Sequence, residues 1–278
     1  MFAEALRKAM TTKENPGDYM KDGILHCGRC GTPKQVLMSL PALTGTDKPR
    51  PLPVACKCQQ EADKKAADEQ RAAEFKNGLE TRWRMDGFHD STYLKPKFSN
   101  DDGANPKLTA VCKKYADRWP EMLENGMGLL FYGGVGSGKS FLADCVCNAL
   151  LEQQVKVCTT SFPRVLNVLQ TLMDRQKALD RLAQYQCVLL DDFGAERGTE
   201  FAQEQLFAVV DARYRAKRPT IITTNLSLHD LESPQNLSYS RIFDRLLELC
   251  PIRLCVSGPS RRQGLADERR ELARELLL

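Results

Sequence analysis

The sequence predicts an α/β fold built on a central parallel sheet, and three observations predict it. From Gly126 onward, short apolar runs alternate with amphipathic helical segments, the pattern of buried strands joined by crossover helices. The first run, Gly128–Tyr132, enters a glycine-rich turn. A later run, Cys187–Leu190, ends on Asp191-Asp192.

The elements follow in order. Residues 22–58 are rich in turn formers and short on periodicity, with Pro41, Pro49, Pro51 and Pro53. Residues 59–84 turn abruptly Ala- and charge-rich with few apolar residues, which predicts an exposed linker helix. After the Gly128–Tyr132 strand, Ser140–Glu152 reads as a helix with Phe141, Leu142, Cys145, Val146, Ala149 and Leu150 on one face. Val155–Thr159 is the next strand. Ser161 caps and Pro163 opens a helix through Leu172. Then come the Cys187–Leu190 strand, the helix Glu200–Lys217, the strand Thr220–Thr224, the helix Ser238–Leu249, the strand Ile252–Ser257 and the helix Arg261–Leu277.

Bulk properties set bounds. With 278 residues, 42% hydrophobic and 27% charged, the chain has room for one large domain or a domain plus a smaller module. Lys+Arg 40 against Asp+Glu 36 gives +4, too mild a balance to announce a nucleic-acid protein by charge alone. No run approaches the ~18–20 apolar residues of a membrane span, and the N-terminus lacks the apolar core of a secretory signal. Of the 11 cysteines, Cys145, Cys147, Cys158, Cys187, Cys250 and Cys255 sit in apolar patterns as small hydrophobes. The expectation is a cytoplasmic protein without a membrane partner.

The strongest motif is Gly133, Gly134, Val135, Gly136, Ser137, Gly138, Lys139, Ser140, a full match to G-x-x-x-x-G-K-[ST]. Its glycines let backbone N–H groups cradle phosphate oxygens at the positive end of the following helix. Lys139 is expected on the β/γ-phosphates of ATP and the Ser140 hydroxyl on Mg2+. The second half of such a site is an acid at a neighbouring strand tip. Asp191 takes the Mg2+ role, and Asp192 stands where a base would polarise the attacking water. Asn225, after Thr223-Thr224, ends the next strand and would point into the same crevice, where it would orient that water.

The order of these motifs resembles the AAA+ ATPase domain of the DnaC/DnaI helicase-loader family, which also includes IstB-type transposition ATPases. The resemblance covers residues ~107–278. It is carried by the P-loop, Val188-Leu-Leu-Asp191-Asp192-Phe-Gly, Thr223-Thr-Asn225, the Ser240-Arg241-Ile-Phe-Asp244-Arg245 box and Gly258-Pro-Ser-Arg-Arg262. It implies an AAA+ P-loop NTPase fold and ATP hydrolysis. By resemblance Asn225 is the first sensor, Arg245 the arginine finger reaching a neighbouring subunit's γ-phosphate, and Arg262 the second sensor. Arg241 is a second candidate in the same box. A guanidinium suits that task because it stays charged and is planar. Many AAA+ proteins carry Asp-Glu where this chain has Asp191-Asp192. The shorter side chain puts the hydrolysis rate in question, not ATP binding.

Upstream, Cys27-Gly-Arg-Cys30 and Cys56-Lys-Cys58 supply two sulfur pairs for a tetrahedral Zn2+ site, with redox or inert thiols as the alternative. Such a segment would draw much of its folding energy from the metal. A zinc module ahead of a P-loop domain resembles the layout of DnaI-type loaders, where the module contacts the replicative helicase. The predicted organisation is a module over residues 1–58 with a four-cysteine zinc site, a helical linker and lead-in over 59–106, and the ATPase domain over 107–278. The stretch from Gly87-Phe88 to Phe98, with Tyr93, would be the lead-in to the ATPase domain and would pack near the nucleotide base.

The expected function is ATP-dependent loading of a replicative hexameric helicase, with single-stranded DNA as a ligand and self-association through the ATP sites. Arg164, Arg175, Lys177 and Arg181 are candidate DNA-backbone contacts, or equally an ordinary solvated face. The alternatives are an IstB-like ATPase regulating a transposase on duplex DNA and a non-hydrolysing adaptor switched by ATP.

Overall fold

The computed structural model describes residues 12–39, 48–194, 200–234 and 236–277, with the side chains of 94, 237, 238 and 261–268 excepted. The chain divides into two compact units, residues 1–75 and 76–278.

In the first unit, β1 (Tyr19–Lys21) pairs antiparallel with β2 (Ile24–His26), and β3 (Gln35–Met38) with β4 (Arg50–Pro53). The segment that reads as irregular in the sequence, residues 22–58, therefore holds three of these strands among its described residues, and β1 lies just before it. Each is only three or four residues long, too short to display a period of two. Among the described residues of this unit the buried apolar ones, Leu25, Cys27 and Cys56, are few. Helix α1 (Lys57–Asp86) starts in this unit, extends the expected linker helix by two residues at each end, and is exposed along most of its length.

The second unit contains the last turns of α1, then α2 (Pro106–Asp117), α3 (Trp119–Glu124), β5 (Leu129–Tyr132), α4 (Lys139–Glu152) and β6 (Val157–Ser161). It continues through α5 (Phe162–Thr171), α6 (Arg175–Ala183), β7 (Cys187–Phe193), α7 (Glu200–Ala216) and β8 (Thr220–Thr224). It ends with α8 (Leu228–Glu232), α9 (Leu237–Leu249), β9 (Ile252–Cys255) and α10 (Arg261–Leu277). The sheet order is β6-β7-β8-β5-β9, parallel at every pair. Leu129, Leu130, Phe131, Val188, Leu189, Ile221 and Ile222 are all fully buried, which is why their strands read as unbroken apolar runs.

Strand β6 begins two residues later than predicted. Gln154 (φ 60) and Val155 instead close α4, with Val155 N–H donating to Leu150 O at 3.0 Å. The helix expected from Ser161 through Leu172 runs over Phe162–Thr171, and a second helix that the sequence reading did not mark follows it. Asp174 restarts the chain by accepting from Lys177 N–H at 2.9 Å, as an N-cap does. Cys145, Cys147, Cys158, Cys187 and Cys250 are buried as predicted, while Cys255 is exposed on β9.

The outer edge of β6 is covered by the segment that follows α1. Trp83 Nε1–H donates to Val157 O at 2.9 Å and Asp90 N–H to Thr159 O at 2.8 Å, satisfying groups that an open sheet edge would leave bare. His89 stacks on Trp83 with ring centroids 3.6 Å apart. Asp86 anchors the same corner, accepting from Tyr185 Oη–H at 2.8 Å and pairing with Arg181 at 3.3 Å and Arg82 at 3.5 Å. The fully buried Arg213 donates to Thr220 Oγ1 and to the carbonyls of Leu182, Ala183, Tyr185 and Pro219, all within 3.2 Å.

Candidate functional site

The site sits at the carboxyl ends of β5, β7 and β8, where open parallel sheets bind ligands. The loop between β5 and α4 needs its glycines. Gly133 has φ 139, and a Cβ there would meet Val256 O at 2.3 Å. Gly136 has φ 78, and a Cβ there would meet Ser260 Oγ at 2.2 Å. Gly138 (φ 105) then caps α4, whose first residue is Lys139. The backbone is thus free to aim N–H groups inward at a helix N-terminus, the arrangement that binds phosphate.

Lys139 is buried, and its ammonium donates to Gly133 O at 3.0 Å, Gly134 O at 2.7 Å and Asn225 Oδ1 at 2.8 Å. Ser140 Oγ–H donates to Asp191 Oδ1 at 2.8 Å. Val135, Gly136, Gly138, Lys139, Ser140, Phe141, Asp192 and Asn225 line one cavity of about 200 Å³. The structure therefore gathers the P-loop, both aspartates and the amide that the sequence singles out.

Asp191 is 4% exposed and Asp192 is exposed, and the pairing of β7 with β8 shifts register between Leu190 and Phe193, around both aspartates. Asp192 adopts φ 54, a left-handed conformation that costs a non-glycine residue energy and that clusters at functional sites. Thr223 spans the register shift. Its hydroxyl donates to Asp191 Oδ1 at 2.5 Å and accepts from Asp192 N–H at 3.1 Å.

Two residues that sequence reading gave no role, Thr223 and Asp144, join the site, and Tyr93 enters it at the carboxylate of Asp191. Thr223 lies two positions before Asn225 on β8, so it shares that residue's face, and the period of two was the signal available. Tyr93 is expected against a base, yet its hydroxyl reaches Asp191 Oδ2 at 3.3 Å. Burial first and the charge of Asp191 second raise the Tyr93 phenol well above its ordinary value, so it meets the carboxylate as a donor. Asp144, one turn after Ser140, is 5% exposed, and its Oδ1 is buried without a hydrogen-bond partner among the described residues. Desolvation, reinforced by the charge of Asp191, pushes its carboxyl up to about 9. An acid on the apolar face of α4 was its signal.

The two box arginines differ. Arg245 is drawn to Asp211 at 2.5 Å and lies over the rings of Phe207 and Tyr214, 4.6 and 5.8 Å from their centroids. Arg241, one turn earlier, is exposed and lines a cavity of about 400 Å³ with Glu200, Gln203, Glu204, Phe207 and Ile242. Arg262 belongs to α10, but its side chain lies outside the described residues. Ser260, just before that helix, touches the P-loop at Gly136.

The expected DNA contacts are mostly engaged within the chain. Arg164 donates to Gly87 O at 3.2 Å and pairs with Asp90, Arg175 donates to Leu169 O at 3.0 Å and stacks over Phe201, and Arg181 pairs with Asp86. Lys177 is exposed.

In the first unit the sulfurs of Cys27, Cys30, Cys56 and Cys58 all lie within 4.8 Å of one another. Cys27–Cys58 is 3.6 Å and Cys56–Cys58 is 3.4 Å. Four thiolates ~2.3 Å from a tetrahedral Zn2+ stand about 3.8 Å apart, so the set fits that ion. The Thr32 hydroxyl, followed by backbone N–H groups, pulls the Cys30 thiol down to about 5. Hydrogen bonds with its sulfur neighbours, Cys56 first, hold the proton of Cys58 and push its thiol up to about 12, so a metal bound there displaces that proton. Lys34, beside Cys27 and Cys56, is buried against Asp18 at 2.5 Å, and Asp18 Oδ1 accepts from Gly28 N–H at 3.0 Å. That support orients the first cysteine turn.

Residues 97–266 match the family described as IstB-like ATP binding protein. The replicative helicase loader DnaI of Bacillus subtilis (strain 168) is 26% identical over 185 residues, 61% of this chain and 59% of its own length. The replicative helicase loader DnaC of Escherichia coli (strain K12) is 24% identical over 127 residues, 44% of this chain and 51% of its own. The chain thus spans little more than half the length of the curated relatives it matches. The crystal structure of DnaI aligns with a TM-score of 0.52 at 22% identity, covering 63% of this chain and 94% of that one. The crystal structure of the DnaC helicase loader aligns with 0.52 at 23%, covering 60% and 100%. The shared fold is the AAA+ P-loop fold, and no described helix is long and apolar enough to cross a membrane. With the matched span exceeding half of its length, this chain belongs to the IstB-like ATP-binding family.

Proposed function

We propose that this protein is an ATP-hydrolysing loader of a replicative helicase that takes single-stranded DNA as a ligand. The observation that carries the loader reading is the four-sulfur cluster of Cys27, Cys30, Cys56 and Cys58 ahead of the ATP-binding unit. A zinc-held module gives such an ATPase a separate docking element, and the relatives DnaI and DnaC are replicative helicase loaders by name. The work of the protein is cytoplasmic in this reading.

In the ATP site, Lys139 and the N–H groups from Gly133 to Ser140 would hold the phosphates. Ser140 and Asp191 would hold Mg2+, which neutralises phosphate charge. Asp192 would accept the proton of the attacking water, Asn225 would orient that water, and Arg262 would act on its own subunit's nucleotide. The expectation that Arg245 reaches a neighbour's nucleotide is revised here. Leaving Asp211, Phe207 and Tyr214 would cost Arg245 an ion pair and two ring contacts, whereas Arg241 is exposed. We assign the trans-acting role to Arg241 and the joining of α7 to α9 to Arg245.

A second reading follows from the resemblance to IstB-type transposition ATPases, supported by the match to the IstB-like ATP-binding family: an ATPase that assembles on duplex DNA and regulates a transposase. Native mass spectrometry separates the two. The full chain, Lys139→Ala and a Cys27→Ser/Cys30→Ser variant are mixed with a ring helicase, ATP and Mg2+. A discrete complex lost in the cysteine variant supports the loader. No helicase complex, with ATP-dependent assembly on duplex DNA, replaces it with the transposition reading.

A further inference from the structure

We propose that Tyr93 is a positioning residue for Asp191, and that through it the segment between α1 and α2 responds to metal binding at the nucleotide site. This role rests on the reading of Ser140 and Asp191 as the Mg2+ holders.

Asp191 is almost fully buried, and its carboxylate meets three hydroxyls. Ser140 and Thr223 take Oδ1 at 2.8 and 2.5 Å, and Tyr93 takes Oδ2 at 3.3 Å. Ser140 and Thr223 belong to the P-loop helix and the sheet. Tyr93 comes from outside them, on the 3-10 turn Ser91–Leu94.

That turn is held on both sides. Asp90 caps it, accepting from Thr92 N–H at 3.0 Å and Thr92 Oγ1–H at 2.8 Å, and is itself bonded to β6 through Thr159 O at 2.8 Å. Asn148, two turns beyond Ser140 on α4, donates to Tyr93 O at 3.2 Å and Pro96 O at 2.6 Å. The phenol is therefore fixed relative to both elements that flank the aspartate.

A carboxylate that serves a magnesium ion must present one oxygen in one direction, and neighbouring donors set that direction. With Oδ1 shared by two hydroxyls, the Tyr93 contact is what fixes the rotation of the group. The coupling also runs outward. The segment that carries Tyr93 begins with Gly87 and the His89–Trp83 stack that closes α1, so a turn of the Asp191 carboxylate acts on it without passing through the P-loop.

The test is a Mg2+ titration of fluorescent-ATP binding to the full chain, in wild type, Tyr93→Phe, Asp191→Asn and the double variant. Tyr93→Phe keeps the ring and removes one hydroxyl. We expect it to raise the half-saturating Mg2+ concentration about three- to tenfold, the scale of one hydrogen bond to a charged group, while affinity in EDTA stays unchanged. On the Asp191→Asn background the same change should add nothing, because the partner is gone. An unchanged Mg2+ midpoint in Tyr93→Phe overturns the role, as does an equal loss in EDTA or on the Asp191→Asn background. Nucleotide affinity in wild type that ignores Mg2+ overturns the metal reading itself, and this role with it.

Discussion

The ammonium of Lys139 lies 2.8 Å from Asn225 Oδ1, which joins the P-loop to the tip of β8 through one charge-assisted hydrogen bond. Gly133 O and Gly134 O also accept from it, at 3.0 and 2.7 Å. An amide in that position orients groups by its dipole rather than by charge. Asn225→Ala should lower kcat for phosphate release by about 10²-fold with KM changed only a few fold, the scale of one lost orienting group. Lys139→Ala should abolish ATP binding in the same steady-state assay. A KM-only effect in Asn225→Ala would assign that amide to ground-state binding.

Asp144 sets a pH dependence whose sign follows from its burial. Its folded-state value, about 9, lies above the ordinary 3.8, so the folded chain holds a proton there that the unfolded chain releases. Stability in EDTA therefore falls as pH rises from about 4 towards 9. Asp144→Asn removes the titration and keeps the shape. It should stabilise the second unit at pH 8 by about 1–3 kcal/mol and should be neutral near pH 4, read by urea unfolding at both values.

Arg213 is buried with no carboxylate partner among the described residues, and its guanidinium donates to Thr220 and four backbone carbonyls. Removing it takes a buried donor from those carbonyls, of which Leu182 O still accepts from the N–H groups of Gln184 and Tyr185. Arg213→Met should cost about 3–5 kcal/mol in urea unfolding, and Arg213→Lys should recover less than half, since an ammonium lacks the planar fork.

Metal content tests the first unit. Wild type in metal-free buffer should carry about one equivalent of zinc per chain, as one four-thiolate centre implies. Cys27→Ser should lose it, together with the native circular-dichroism signal of the module. ATP binding should persist in that variant, because every P-loop contact described above lies within residues 76–278. Less than one equivalent in wild type would remove the zinc module.

The two arginines of α9 should separate cleanly. Arg241→Ala should retain folding and ATP binding and lose at least tenfold in turnover, as for a trans-acting arginine. Arg245→Ala should lower the melting temperature by a few degrees, roughly 1–2 kcal/mol for a part-buried ion pair with ring contacts. The reverse pattern, measured by turnover and thermal melts, restores Arg245 to the catalytic role.

What the sequence determined by itself was the chemistry that is local in the chain. A P-loop is one short segment whose glycines, lysine and serine act from consecutive positions, and the parallel strands announce themselves as apolar runs because both faces are buried. Asn225 and the Cys27, Cys30, Cys56 and Cys58 set were legible for the same reason, as strand-tip and short-spaced residues. The tertiary structure decided what depends on distant segments meeting. It brought Tyr93 to Asp191 and Arg213 to the carbonyls of Leu182 and Pro219, and it drew Arg181 onto Asp86 and Arg245 onto Asp211. An arginine on an amphipathic helix carries no mark of which acid it will find. That choice is made by packing, since a buried or half-buried charge costs free energy until it is paired, and the pairing partner is set by the fold.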